Sequence, residues 1–153
     1  MPQELPAPAK YGTFGLWVPA AALQDLPGGT FINYKNMGLN KMERLLIVDD
    51  DVIYRMVLKT FLTQHFDIDE SPSAEDASIL IESTNYSLVI TDNNMEEITG
   101  IQLIEQFNKK VPCILMSSEN AEKEAYKAGA VYFFNKKQTP TLLSKKALEI
   151  TNK

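Results

Sequence analysis

Leu45-Leu46-Ile47-Val48-Asp49-Asp50 is the stretch whose reading decides the fold. An unbroken apolar run closed by acids reads as a strand buried on both faces, the signature of a parallel sheet, with the acids standing where the strand leaves the sheet. Two further runs repeat the pattern. Leu88-Val89-Ile90-Thr91 ends in Asp92, and Tyr132-Phe133-Phe134-Asn135 delivers Lys136. Ligands of open α/β sheets bind at the carboxyl edge of the strands, so these three acids and the lysine are expected at one edge. Converging carboxylates repel each other unless a hard cation lies between them, and Mg²⁺, with its oxygen ligands, suits that place. A lysine beside such a cluster supplies a point charge for a phosphoryl oxygen. The residues therefore predict a Mg²⁺-dependent phosphoryl-transfer site.

Bulk properties narrow the field. A chain of 153 residues is one domain by size, with room for an appendage. Its net charge of -5 argues against nucleic acid as a direct partner, because phosphate contacts need a basic face. Cys113 is the single cysteine, inside the apolar run from Val111 to Met116, which excludes an internal disulfide and fits a reducing compartment. It is expected as buried packing. No stretch approaches the roughly 20 apolar residues of a membrane span, and no signal peptide opens the chain. A cytoplasmic protein with no membrane partner is expected.

Composition shifts near Asn40. Residues 1–41 are rich in Pro, Gly and Ala, and residues 42–153 in Ile, Asn, Glu and Lys, so the chain is divided into an N-terminal extension, 1–41, and a domain, 42–153. The extension still carries Phe14, Trp17 and other aromatic residues, whose exposure to water is unfavourable. It is expected to pack on its own domain or on a second copy, as a regulator or dimer contact. Beyond it, strand-like and helix-like segments alternate, the pattern of a doubly wound α/β sheet with five strands and five helices. Strands are predicted at 44–48, 67–70, 87–91, 113–116 and 131–135. Helices are predicted at 54–64, with Val57, Leu58, Phe61 and Leu62 facing inward, and at 73–83, 100–108 and 120–128. A last helix starts at Thr139-Pro140, an N-cap followed by proline at the first helical position. Gly129 is placed as a left-handed C-terminal residue, and Asp51 as the N-cap of the first helix.

With these residues in place, 42–153 resembles the receiver domain of two-component response regulators, most like the single-domain chemotaxis type. The resemblance implies a flavodoxin-like fold. It implies that Asp49 and Asp50 are the acidic pair that holds Mg²⁺, that Asp92 is the phosphoacceptor, and that the Asn94 backbone carbonyl is a further metal ligand. Ser117 takes the position of the switch hydroxyl, Lys136 that of the lysine that contacts the phosphoryl group, and Phe133 that of the switch aromatic. Phe133, having no hydroxyl, reads equally as an ordinary core residue. Asn94 and Glu119 resemble the chemotaxis-type pair that leaves an aspartyl phosphate open to water. The partners implied are a histidine kinase or histidine phosphotransfer protein upstream and an output protein not identifiable from sequence. Since the last helix ends the chain, output is expected through protein contacts.

The pattern departs from the family at three points. Glu96 stands where a proline usually follows the methionine of the acceptor loop, Thr99-Gly100 replaces Asp-Gly, and Lys137 replaces the proline after the lysine. A trans Lys136–Lys137 bond and a shifted loop are expected, since a cis bond before a non-proline residue costs about 3–4 kcal/mol. Two rival readings remain: a degenerate receiver that works as an adaptor without phosphorylation, and a Mg²⁺-dependent phosphohydrolase with an aspartyl intermediate, suggested by the D-x-D in Asp49-Asp50-Asp51. The phosphoacceptor switch, rather than an enzyme with turnover, is the expectation carried forward.

Overall fold

The computed structural model describes residues 42–152, and the expectations for 1–41 lie outside the described residues. Ten elements alternate along this span: β1 (Glu43–Val48), α1 (Val52–Leu62), β2 (Phe66–Ser71), α2 (Ala74–Ser83), β3 (Leu88–Asp92), α3 (Gly100–Phe107), β4 (Cys113–Ser117), α4 (Glu122–Ala128), β5 (Tyr132–Asn135) and α5 (Pro140–Thr151). The strands form one parallel sheet in the order β2-β1-β3-β4-β5. This is the flavodoxin-like order expected.

Alternate residues of a strand face opposite sides of a sheet, and both sides here are covered. Leu45 and Ile47 join Leu58, Leu62, Ile90, Phe134, Leu143 and Ala147 in a core beneath α1 and α5. Leu46 and Val48 join residues of α2, α3 and α4 on the other side, including Ala77, Ile81, Leu103, Ile104 and Ala125. Burial on both faces is why β1 and β3 read as continuous apolar runs rather than alternating ones. From β1 the chain runs outward to β2, then crosses back to β3, so β1 and β3 are neighbours whose connections leave in opposite directions. A crevice opens at such a switch point, at the carboxyl ends of the two strands. Asp49 follows β1 there, and Asp92 ends β3.

Helix termini follow local chemistry. The Asp51 carboxylate accepts hydrogen bonds from the Ile53 and Tyr54 amides, so α1 begins at Val52, two residues before the predicted start. Thr99 and Gln102 close a reciprocal capping box on α3. Thr139 caps α5 with Pro140 at its first turn, as read. Gly129 takes φ 103° after α4, where a Cβ would meet the Asn108 side chain at 2.7–2.9 Å. Gly100, at the first turn of α3, lies against the Asp92 carbonyl, and no side chain fits between them. One helical face departs from expectation. Leu58 and Leu62 are buried, but Val57 is 39% exposed, beside Val52, Ile53 and Met56 on the solvent side of α1. The inward stripe instead runs through Tyr54, Leu58 and Leu62, spaced four apart, with Phe61 half-buried beside it and Val57 outside it.

Candidate phosphoacceptor site

Three strands deliver the site. Asp49 is completely buried and Asp92 is 4% exposed, whereas Asp50 faces solvent. One oxygen from each of the three carboxylates lies within 4.8 Å of the others, so the structure brings the predicted acids together. The Lys136 Nζ donates to Asp49 Oδ2 at 2.7 Å and pairs with Asp92 Oδ1 at 2.9 Å. The other Asp49 oxygen, Oδ1, accepts the Asp51 amide at 2.9 Å. Asp49 is thus held at both oxygens and oriented by the same loop that caps α1.

Burial pushes the Asp49 and Asp92 carboxyls above the ordinary carboxylate range, and their bonds to Lys136 only partly offset this. For Lys136, burial opposes the charge, but the bonds to Asp49 and Asp92 outweigh it and hold the ammonium above its usual pKa. When ionised, three carboxylates against one ammonium leave two uncompensated negative charges. All the donors are hard oxygens. That charge and donor set fit a small divalent cation.

The remaining predicted residues surround this cluster. Ser117 ends β4 and is buried, and its Oγ accepts the Glu119 amide at 3.1 Å. The Ser117 carbonyl accepts the Lys136 amide at 3.0 Å, so the strand ends carrying the hydroxyl and the lysine are directly linked. Asn94 lies two residues beyond Asp92 on an exposed loop, as does Glu119 beyond Ser117. Phe133 is buried in the core against Leu115 and Ala125, and its amide donates to the Tyr126 hydroxyl at 3.4 Å. Glu96 lines an acidic cleft with Asp50, Ser73 and Glu75. Cys113 is buried, and burial pushes its thiol up to about 12, far from a reactive thiolate.

The missing proline after Lys136 has a local answer. No cis peptide bond occurs among the described residues, so Lys136–Lys137 is trans. The amide that Lys137 carries and proline lacks donates to Asn135 Oδ1 at 2.9 Å, while the Asn135 carbonyl accepts the Gln138 amide at 2.9 Å. One asparagine side chain thereby satisfies the extra donor and turns the chain toward α5.

Two neighbours of the site went unread in the sequence. The Arg55 guanidinium donates to the Asp49 carbonyl and pairs with Glu70 at 3.3 Å. The Tyr54 ring lies 4.4 Å from Lys136 Nζ. The signal was their position in the first turn after the Asp51 cap, since helical side chains lean back toward the N-terminus and hence toward the acids.

A buried acidic cluster bridged by a lysine, at the switch point of this sheet, is the arrangement of a receiver domain, and comparison with known proteins agrees. The chain belongs to the response regulator receiver domain family, whose pattern matches residues 45–148. A chemotaxis protein CheY homolog of Campylobacter jejuni is 30% identical over 118 residues, spanning 70% of this chain and 91% of that protein. Chemotaxis response regulator CheY4 of Vibrio cholerae shares the fold with a TM-score of 0.66 at 20% identity, over 71% of this chain and 98% of that one. The receiver domain of Saccharomyces cerevisiae Ssk1, solved with the histidine phosphotransfer signalling protein Ypd1, matches with a TM-score of 0.66 at 22% identity, over 72% of this chain and 90% of that one. Among the described residues, no helix is long and apolar enough to cross a membrane.

Proposed function

We propose that this receiver is a phosphoacceptor switch in which Asp92 takes a phosphoryl group from a phosphohistidine donor. The observation that carries the proposal is the single ammonium of Lys136 held between Asp49 and Asp92, at 2.7 and 2.9 Å, with Asp50 at the open side. An ionised Asp92 oxygen attacks phosphorus. The P–N bond to the donor imidazole breaks, its electron pair returns to the ring nitrogen, and no proton has to leave the carboxylate. Lys136 follows the charge as it spreads onto the phosphoryl oxygens. Mg²⁺, when held by Asp49, Asp50, Asp92 and the Asn94 carbonyl, supplies further neutralisation of those oxygens.

The donor is a histidine kinase or a histidine phosphotransfer protein. The Ypd1 complex supports this class of partner by analogy. After transfer, the Ser117 hydroxyl donates to a phosphoryl oxygen, which draws the loop after β4 toward Asp92. That loop leads into α4, so the face of α4, β5 and α5 is biased toward a second arrangement that an output protein reads. Phe133 packs inside that face, where a shift of α4 would be felt. The experiment is transfer from a phosphohistidine phosphotransfer domain, followed by reduction with tritiated borohydride, which expels the phosphate and leaves tritiated homoserine at the acceptor position, and peptide identification. Label trapped at Asp92 supports the proposal. Label confined to another residue, or none in the presence of Mg²⁺, contradicts it.

A further inference from the structure

We propose that Tyr54 is a positioning residue for phosphoryl transfer, its ring face holding the Lys136 ammonium in place while the carboxylates around that ammonium change partners. The proposal rests on the phosphoacceptor reading above. Lys136 Nζ lies 4.4 Å from the centroid of the Tyr54 ring, well inside the distance at which an ammonium is attracted to an aromatic face. The same ammonium bonds to Asp49 and Asp92. Its side chain is only 17% exposed, so the attraction acts in a partly desolvated setting, where it is stronger.

The ring is itself well anchored. Tyr54 is in the first turn of α1, where its amide donates to the capping Asp51 carboxylate at 3.1 Å. Its neighbour Arg55 ties the same turn to the Asp49 carbonyl and to Glu70. The ring packs against the core beneath α1 and α5. The Tyr54 hydroxyl is buried and has no hydrogen-bond partner among the described residues. A buried hydroxyl normally finds a partner, so the feature of this side chain that the surroundings use is the ring, not the oxygen.

Phosphorylation gives this contact its role. Before transfer, Lys136 is shared by two carboxylates. As an Asp92 oxygen becomes esterified, that carboxylate loses its charge and the ammonium must turn to a phosphoryl oxygen a short distance away. Lysine is a flexible stem with freely rotating donors, and nothing in its own geometry keeps it near the new partner. An aromatic face does not depend on which oxygen the ammonium contacts, so it can retain Lys136 through the exchange. Among the groups described around Lys136, Tyr54 alone has this property; the carboxylate contacts are each made through one oxygen, Asp49 Oδ2 and Asp92 Oδ1.

The test uses the full chain, with acetyl phosphate and Mg²⁺, and measures phosphorylation rate against acetyl phosphate concentration. Tyr54→Leu, which keeps apolar volume but has no π face, is expected to slow phosphorylation by roughly fivefold or more, as loss of a partly desolvated cation–π contact implies. Tyr54→Phe is expected to rescue that loss. In a Lys136→Ala background, Tyr54→Leu is expected to have no further effect, whereas a merely structural role would slow both backgrounds alike. A second readout does not depend on activity: by NMR, the Lys136 ε-methylene protons should be shifted upfield by the ring in the parent and in Tyr54→Phe, and not in Tyr54→Leu. A parent that is phosphorylated while Tyr54→Leu matches it in rate, or a parent without the ring-current shift, overturns the proposal for Tyr54 alone. A parent that takes no phosphate, with the shift present, overturns the phosphoacceptor reading and the role of Tyr54 in it.

Discussion

Substituting Gly100 by alanine should loosen the sheet at the residue on which the chemistry depends. An alanine Cβ at that position would lie 2.1 Å from the Asp92 carbonyl oxygen and 2.9 Å from both the carbonyl carbon and Leu115 Cδ1. Ordinary contacts between carbon and a carbonyl oxygen are about 3.3–3.6 Å, so the start of α3 would have to move by roughly 1 Å. Two effects compete. Alanine is favoured over glycine inside a helix by up to about 1 kcal/mol, which would stabilise α3. Overpacking costs about 1–3 kcal/mol and occasionally more, and here the obstacle is backbone, which cannot rotate aside as a side chain could. The upper part of that range wins, leaving a net loss of about 2 kcal/mol or more. Urea unfolding monitored by circular dichroism should show a lower midpoint at unchanged m-value. Because the new Cβ presses on the carbonyl of Asp92 itself, phosphorylation should slow as well. A Gly100→Ala protein at least as stable as the parent would refute the close approach of α3 to β3.

The other predictions concern charge. Burial holds Asp49 and Asp92 above their ordinary pKa, so their ionised forms destabilise the Mg²⁺-free fold at neutral pH. In that fold they bind protons more readily than in the unfolded chain, so their contribution to stability falls as pH rises from the unfolded value, about 3.9, through the raised one. Asp92→Asn should therefore melt higher than the parent at pH 7 without Mg²⁺, with the difference shrinking toward pH 4; equal melting temperatures at pH 7 would contradict it. Removing the cation has the opposite effect. Lys136→Ala leaves two buried carboxylates without their partner and should cost about 3–5 kcal/mol in Mg²⁺-free urea unfolding, partly recovered on adding Mg²⁺. Mg²⁺ should raise the melting temperature of the parent, by an amount equivalent to about 2.7 kcal/mol at a hundred times its Kd, and Asp50→Ala should blunt that response. The aspartyl phosphate should be short-lived, since Asn94 and Glu119 are both exposed beside the site and leave it open to water. A half-life of many hours at neutral pH would count against that assignment.

What could be read in the sequence was whatever local pattern controls. The run Leu45–Val48 is buried in full because both faces of β1 are covered, and the same reason made Leu88–Ile90 legible. Thr139-Pro140 and Gly129 were readable because capping depends on a few adjacent residues. Asp49, Asp92 and Lys136 were grouped correctly because each ends or follows a strand, and parallel strands align those ends, even though Lys136 is 87 positions from Asp49. Side-chain contacts across the sheet edge were not legible. Nothing in Val52-Ile53-Tyr54 says that the first two face water while the third reaches Lys136, since that depends on how α1 is seated on α5 and β2. The apolar Val52 and Ile53 also obscured the helical period and delayed the predicted start of α1. Likewise, Asn135 could not be seen as the partner of the Lys137 amide until the trans bond fixed the path of the loop.

Intact-mass spectrometry of the full chain after incubation with acetyl phosphate and Mg²⁺ decides whether Asp92 accepts phosphate. The parent should gain the mass of one phosphoryl group, and chelation of Mg²⁺ during incubation or the Asp92→Asn substitution should each abolish the gain. A phosphoryl group that persists on Asp92→Asn, or a parent whose mass is unchanged while Mg²⁺ measurably raises its melting temperature, would contradict that role for Asp92.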